Sequence, residues 1–207
     1  MKPEEREMIY EINLLRTNPS NYVKELEPML VSAIKDQKEY GNGSKRYSLT
    51  YTTKTLNGKK AKTVDTTWFS EYGEMVKALN TLIDDLKKLK PMRVLKPDSG
   101  IYNATKYFGA DQKKHNWNLL HTGSDGSSPS ERIMRFSPKM KDGNENIAGA
   151  LPNQAPRAFV MQLLIADGIP GYGHRYNIIN PKWTYVACYG SGLESSMYNW
   201  IQNFGVK

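Results

Sequence analysis

The chain has 207 residues, 29 Lys and Arg against 21 Asp and Glu for a net charge of +8, one cysteine, three histidines and 39 % hydrophobic residues. The lone Cys188 excludes an intramolecular disulfide and no Cys/His cluster has zinc-finger spacing, so stability must come from a packed core. No apolar stretch approaches the roughly 20 residues that span a bilayer and residues 1–6 are charged, so the chain reads as soluble, and an exported form needs a leader outside these residues. Positive charge is densest at residues 54–62 and 87–90 without the interleaved aromatics of single-strand binders, which makes a solvated basic face the expectation and nucleic acid an unlikely partner.

Met8, Ile9, Ile12 and Leu15 recur at helical spacing, and Asn18-Pro19 ends that helix and starts a second, which Pro28 is expected to shorten or bend. Between Gly41 and Thr67 the pattern changes: Tyr47, Leu49, Tyr51 and Thr53 alternate with other residues, and Asn57-Gly58 supplies the positive φ values of a tight turn. This predicts an exposed β-hairpin. Met75, Leu79, Leu82, Ile83, Leu86 and Leu89 then form an amphipathic helix stopped by Pro91. Asp98 is placed to cap a further helix that buries Ile101, Ala104 and Phe108, and Ser128-Pro129-Ser130-Glu131 is a capping box opening a helix with Ile133 and Phe136. Pro156 opens another through Val160, Leu163 and Leu164, ending near Gly168. The tail is β, with Trp183, Tyr185, Ala187 and Tyr189 alternating on one strand, a turn at 190–192, and Tyr198, Trp200, Gln202 and Phe204 alternating on the next. Helices followed by an antiparallel hairpin define an α+β or layered domain.

Familiar catalytic strings are missing: there is no H-E-x-x-H, no P-loop, no G-x-S-x-G, and Gly171-Tyr172-Gly173 has Tyr176 where a dinucleotide fingerprint needs glycine. Cys188 sits in a strand pattern and reads as a small buried hydrophobe. What remains is a set of His and carboxylate residues in glycine-flanked or loop contexts, where backbone can approach a ligand closely: His121, Glu145, Asp167 and His174.

The strings around them resemble a known family. His121-Thr122-Gly123, Asn144-Glu145-Asn146-Ile147-Ala148 and the run from Gly173-His174-Arg175 through Asn180-Pro181-Lys182-Trp183 are similar, in order and separation, to signature segments of the CAP superfamily (cysteine-rich secretory proteins, antigen 5 and pathogenesis-related proteins), in particular its bacterial-type members without disulfides. The resemblance implies one domain over residues 1–207 with a family-atypical insertion at about 31–97. It implies an α+β fold, a three-layer α-β-α sandwich around a central, mainly antiparallel sheet, to which the hairpin is an excursion. A secreted or cell-envelope location is implied with it.

The resemblance also implies a cleft with two histidines and two acidic residues. His121, Glu145 and His174 match three of them by motif; Asp167 best matches the fourth, with a shorter side chain than the family's glutamate. Two imidazoles beside carboxylates suit a divalent metal, zinc first, ligated by His121 and His174. The competing reading is a buried hydrogen-bonded cluster that only orders the cleft. Three functional expectations follow: an exported domain whose cleft binds a metal or small ligand; a metal-assisted hydrolase, of peptidase or esterase type, with Glu145 as candidate catalytic base; and a module holding a lipid, peptide or cell-wall fragment, with Tyr172, Tyr176 and Trp183 as cleft walls.

Overall fold

The computed structural model describes residues 1–56, 59–150, 154–191 and 198–207, so the Asn57-Gly58 turn and part of the turn at 190–192 lie outside the described residues. The apolar stripe of Met8, Ile9, Ile12 and Leu15 is buried along α1 (Pro3–Thr17). Asn18 closes that helix, its N–H on the Leu14 carbonyl, and Pro19 opens α2 (Pro19–Tyr40). Pro28 does not shorten α2, which runs 22 residues through it. Pro28 and Lys24 are both exposed, so the carbonyl that loses its partner faces water, while Tyr22, Val23, Leu26 and Ala33 bury the opposite side. Tertiary packing of that face outweighs the local interruption.

Helix α3 (Tyr72–Lys88) packs against α2 and buries Ala78, Leu79, Leu82, Ile83 and Leu86. Asp98 caps α4 (Ser99–Lys114) by accepting from the Gly100 and Ile101 N–H groups at 2.9 and 3.1 Å, and the Ser128/Glu131 capping box opens α5 (Pro129–Phe136). Helices α6 (Pro156–Ile165) and α7 (Gly173–Ile178) follow. The hairpin strands β1 (Lys45–Leu56) and β2 (Lys59–Glu71) form a separate sheet. The central sheet comprises β3 (Lys96–Pro97), β4 (Asp142–Ala150), β5 (Tyr185–Gly190) and β6 (Tyr198–Val206) in the order β3-β5-β6-β4. Its β4–β6 and β5–β6 pairings are antiparallel; two residues of β3 run parallel to β5.

Alternation along the strands creates the layers. Val186 and Cys188 of β5, with Trp200 and Phe204 of β6, join the main core under α1, α2, α3, α6 and α7. Ala187, Ile147 and Ile201 point the other way, onto Ile101 and Phe108 of α4 and Ile133 of α5. The result is the expected α-β-α sandwich, and Cys188 is a fully buried free thiol whose pKa burial pushes well up. No described helix is long and apolar enough to cross a membrane.

The hairpin stands outside these layers. Its register runs from Lys45↔Glu71 to Leu56↔Lys59, so each strand reaches about 40 Å from its base at strand rise. Contacts to the sandwich gather at that base. Tyr72 N–H bonds the Ser44 carbonyl and Gly73 N–H the Asn42 carbonyl, both at 3.0 Å; Tyr40 stacks on Tyr72 at 5.1 Å; Arg46 and Ser70 both hydrogen-bond Asp167. Because Ser44 and Tyr72 already touch, removing residues 45–71 and joining the ends through a short Gly-Ser linker is expected to leave helical circular dichroism and a single cooperative melt intact. Loss of cooperative unfolding would mean that the arm is integral to the core.

Candidate functional site

Strand β4 is an outer strand of the central sheet, and among the described residues β6 is its one strand partner, so its other edge carries no strand pairing there. Glu145 and Asn146 are neighbours on it and point to opposite faces. Glu145 turns toward the α4–α5 side and its side chain has no exposure. Its carboxylate accepts from Arg132 Nη2 of α5 at 3.2 and 3.1 Å, and its Oε1 lies 3.1 Å from His121 Nδ1. Arg132, equally buried, donates to the Ser127 and His121 carbonyls at 2.6 and 2.9 Å, and its guanidinium lies 3.6 Å from the Phe108 ring centroid. Such a desolvated ion pair persists only with this degree of hydrogen bonding.

Held by Arg132, the ionised carboxylate can only accept, so the hydrogen in the His121–Glu145 contact belongs to His121 Nδ1. In the neutral imidazole the free lone pair is then on Nε2, on a side chain that is 49 % exposed. The segment leading to His121 is tightly wound: Asn116, Trp117 and Leu119 all have positive φ. Gln112 of α4 braces it, donating to the Leu120 carbonyl at 3.2 Å and accepting from the Leu119 N–H at 3.1 Å.

His174 arrives from the opposite layer, on the first turn of α7. Ala166 and Tyr172 adopt left-handed conformations with φ of 50 and 51°, and Gly168 and Gly171 have φ of 73 and 69°, so the link from α6 reverses within a few residues. An amide ladder fixes α7 to β4. Asn146 donates to the His174 carbonyl at 3.1 Å and to Gln202 Oε1 at 3.1 Å, and Asn177 donates to the Glu145 carbonyl and to Asn146 Oδ1 at 3.1 and 2.8 Å. Burial, and second the neighbouring His121, push the His174 imidazole below its ordinary pKa. His121, 53 residues earlier in sequence, is thus near enough for its charge to act on His174.

The remaining expected residues sit differently. Asp167 accepts hydrogen bonds from Arg46 and Ser70 at the hairpin base, making it an anchor for the excursion. Tyr172 packs partly against the main core with the Arg175 guanidinium 4.1 Å from its ring centroid, Tyr176 is 48 % exposed, and Trp183 is a core residue. Among the described residues, no three His, Cys, Asp or Glu side chains are grouped to hold a metal ion. A surface groove of about 520 Å³, lined by Leu89, Lys90, Pro91, Met92, Arg93 and Pro181, contains none of His121, Glu145, Asp167 and His174. Sequence reasoning missed Arg132, Gln112 and Asn177. An arginine on a short amphipathic helix gives no signal of burial, but Asn146 and Asn177, lying within the motif strings, could have been flagged as polar residues beside apolar ones.

Residues 76–204 match the model of the cysteine-rich secretory protein (CAP) family, so the chain belongs to that family. The matched span excludes the hairpin. Among solved structures it is similar to an outer surface protein from Borrelia burgdorferi, at 19 % identity and a TM-score of 0.48 over 65 % of this chain and 93 % of that one. It is also similar to an extracellular protein containing an SCP domain from Bacillus anthracis strain Ames, at 19 % identity and a TM-score of 0.42 over 72 % of this chain and 47 % of that one. No curated protein matches the chain.

Two outcomes follow. Arg132→Met strands the buried Glu145 charge and is expected to cost about 3–5 kcal/mol in urea denaturation, with Arg132→Met/Glu145→Gln recovering much of the loss. His174 acts through pH. Its folded-state pKa lies below the unfolded value of about 6.5, so the unfolded chain binds more protons between the two and stability is lost as pH falls through that window. His174→Asn should flatten this part of the stability–pH curve.

Proposed function

We propose that the chain is an exported CAP-type binding domain whose cleft offers His121 Nε2 and the His174 imidazole to a divalent cation, zinc foremost, or to a small polar ligand in its place. The observation that carries this reading is the 3.1 Å contact of His121 Nδ1 with a carboxylate already locked by Arg132, which fixes the tautomer and leaves the outward nitrogen free to accept. His174, whose pKa burial lowers from its ordinary value, is neutral and able to donate a lone pair at neutral pH. Two nitrogen donors are fewer than the three or four protein ligands of most zinc sites, so water or a bound ligand completes the coordination and affinity is modest. A bound ion would polarise a ligand oxygen at the cleft.

Geometry favours binding over hydrolysis. Glu145 is buried and fully engaged by Arg132 and His121, so it orients an imidazole and has no free oxygen with which to take a proton from water. The rival account, in which the same groups only order the β4 edge, makes opposite forecasts for ion binding.

Calorimetry with zinc, nickel and cobalt separates them. Binding at neutral pH is expected, weakening on acidification as protons compete for the imidazoles. His121→Ala and His174→Ala should each abolish most of it, whereas Asp167→Asn, altering a residue bonded to the hairpin base, should leave it intact. No binding at neutral pH, or a His variant as tight as the parent, would establish the purely structural cluster.

A further inference from the structure

The hairpin carries a surface that the sandwich does not use. In an antiparallel ladder directly opposed residues share a face. Tyr47↔Trp68, Leu49↔Thr66, Tyr51↔Val64, Thr53↔Lys62 and Thr55↔Lys60 therefore lie in order from base to tip on one side. Tyr47 and Trp68 confirm it, with ring centroids 5.5 Å apart. Tyr47, Leu49, Tyr51, Val64 and Trp68 are all exposed, between 43 and 71 %. They form a continuous apolar stripe, followed toward the tip by the exposed lysines 60 and 62, the whole face about 25 Å long.

Such a stripe normally lies against a second layer, and among the described residues none covers this two-stranded sheet's face. Charge selects among occupants. Residues 45–71 hold six basic residues, Lys45, Arg46, Lys54, Lys59, Lys60 and Lys62, against Asp65 and Glu71, a surplus of four that makes up half of the chain's net +8. A second copy would bring like charge to like charge, and edge lysines oppose strand-to-strand pairing. An anionic partner is complementary. Trp and Tyr beside aliphatic Leu and Val, with lysines in the same plane, match the layered chemistry of a bilayer interface, where aromatic rings sit at headgroup depth and ammonium groups meet phosphates.

We propose that the face of Tyr47, Leu49, Tyr51, Val64, Trp68, Lys60 and Lys62 docks on a lipid bilayer bearing anionic headgroups. The arm is anchored at its base: strand β2 passes directly into α3, and Arg46 and Ser70 tie the base to Asp167. The site is independent of the histidine cleft, and either can fail without the other.

The test is co-sedimentation of the full chain with vesicles of phosphatidylcholine alone and of phosphatidylcholine mixed with phosphatidylglycerol. Binding to the mixed vesicles is expected, weaker on phosphatidylcholine and weakening with added salt. Lys60→Gln/Lys62→Gln should lower partitioning about 30-fold, the equivalent of about 1 kcal/mol per lysine, and Leu49→Ser/Tyr51→Ser at least about tenfold. All four positions are exposed, so unchanged circular dichroism is expected of both variants. No binding to the mixed vesicles, or binding that these substitutions leave unchanged, overturns the proposal. So does capture by heparin without capture by vesicles, which would make the arm a polyelectrolyte binder.

Discussion

Three guanidinium groups without measurable exposure, Arg16, Arg132 and Arg175, tie the elements of this sandwich to one another. A guanidinium has five N–H donors in a fixed plane, and burying it is tolerable only where acceptors converge from several directions. Arg16 of α1 donates to the Ile178 and Asn180 carbonyls at 2.8 and 2.9 Å, tying the first helix to the segment that leaves α7. Arg175 of α7 reaches the Leu164 and Ile165 carbonyls at the end of α6, the Ala78 carbonyl, and Asp85 of α3. These are helix-terminal or mid-helix carbonyls with lone pairs to spare, and one cation satisfies several at once. Arg132 does the same service on the other side of the sheet with Glu145, Ser127 and His121.

The placement of the two histidines follows from where these anchors lie. Helix α7 is only six residues long and could not hold a position by its own propensity. Arg175 and the Asn146–Asn177 ladder pin it to α3, α6 and β4, and His174 is carried to the sheet edge as a consequence. Arg132 pins the carboxylate that in turn orients His121. The two imidazoles thus reach the edge of β4 from opposite layers, each positioned by a buried arginine on its own side.

The hairpin obeys a different physics. With two strands and no covering layer it buries little, and its order rests on cross-strand pairs such as Tyr47–Trp68 and on the polar clamp at its base. Asp167 marks the boundary between the two regimes. The same turn between α6 and α7 that leads into His174 also supplies the acceptor for Arg46 and Ser70. The excursion and the histidine edge are thereby neighbours along the chain while facing different surroundings.

Local rules wrote much of this into the sequence. The stripe of α1, the Asp98 cap, the Ser128 capping box, the alternation of β5 and β6 and the hairpin pattern are short-range signals, since periodicity and capping act within one or two turns. The motif strings around His121, Glu145 and His174 were equally legible, because each string carries its own residue types. What needed tertiary structure was everything set by a partner distant in sequence. Pro28 stays within a long helix because α3 packs on α2, Asp167 answers to Arg46 and Ser70 more than 90 residues away, and Glu145 is an orienting group because Arg132 is buried against it. A sequence fixes which side chains can accept, donate or carry charge. Which of them are desolvated together, and so which partner each must take, is decided only when the layers close.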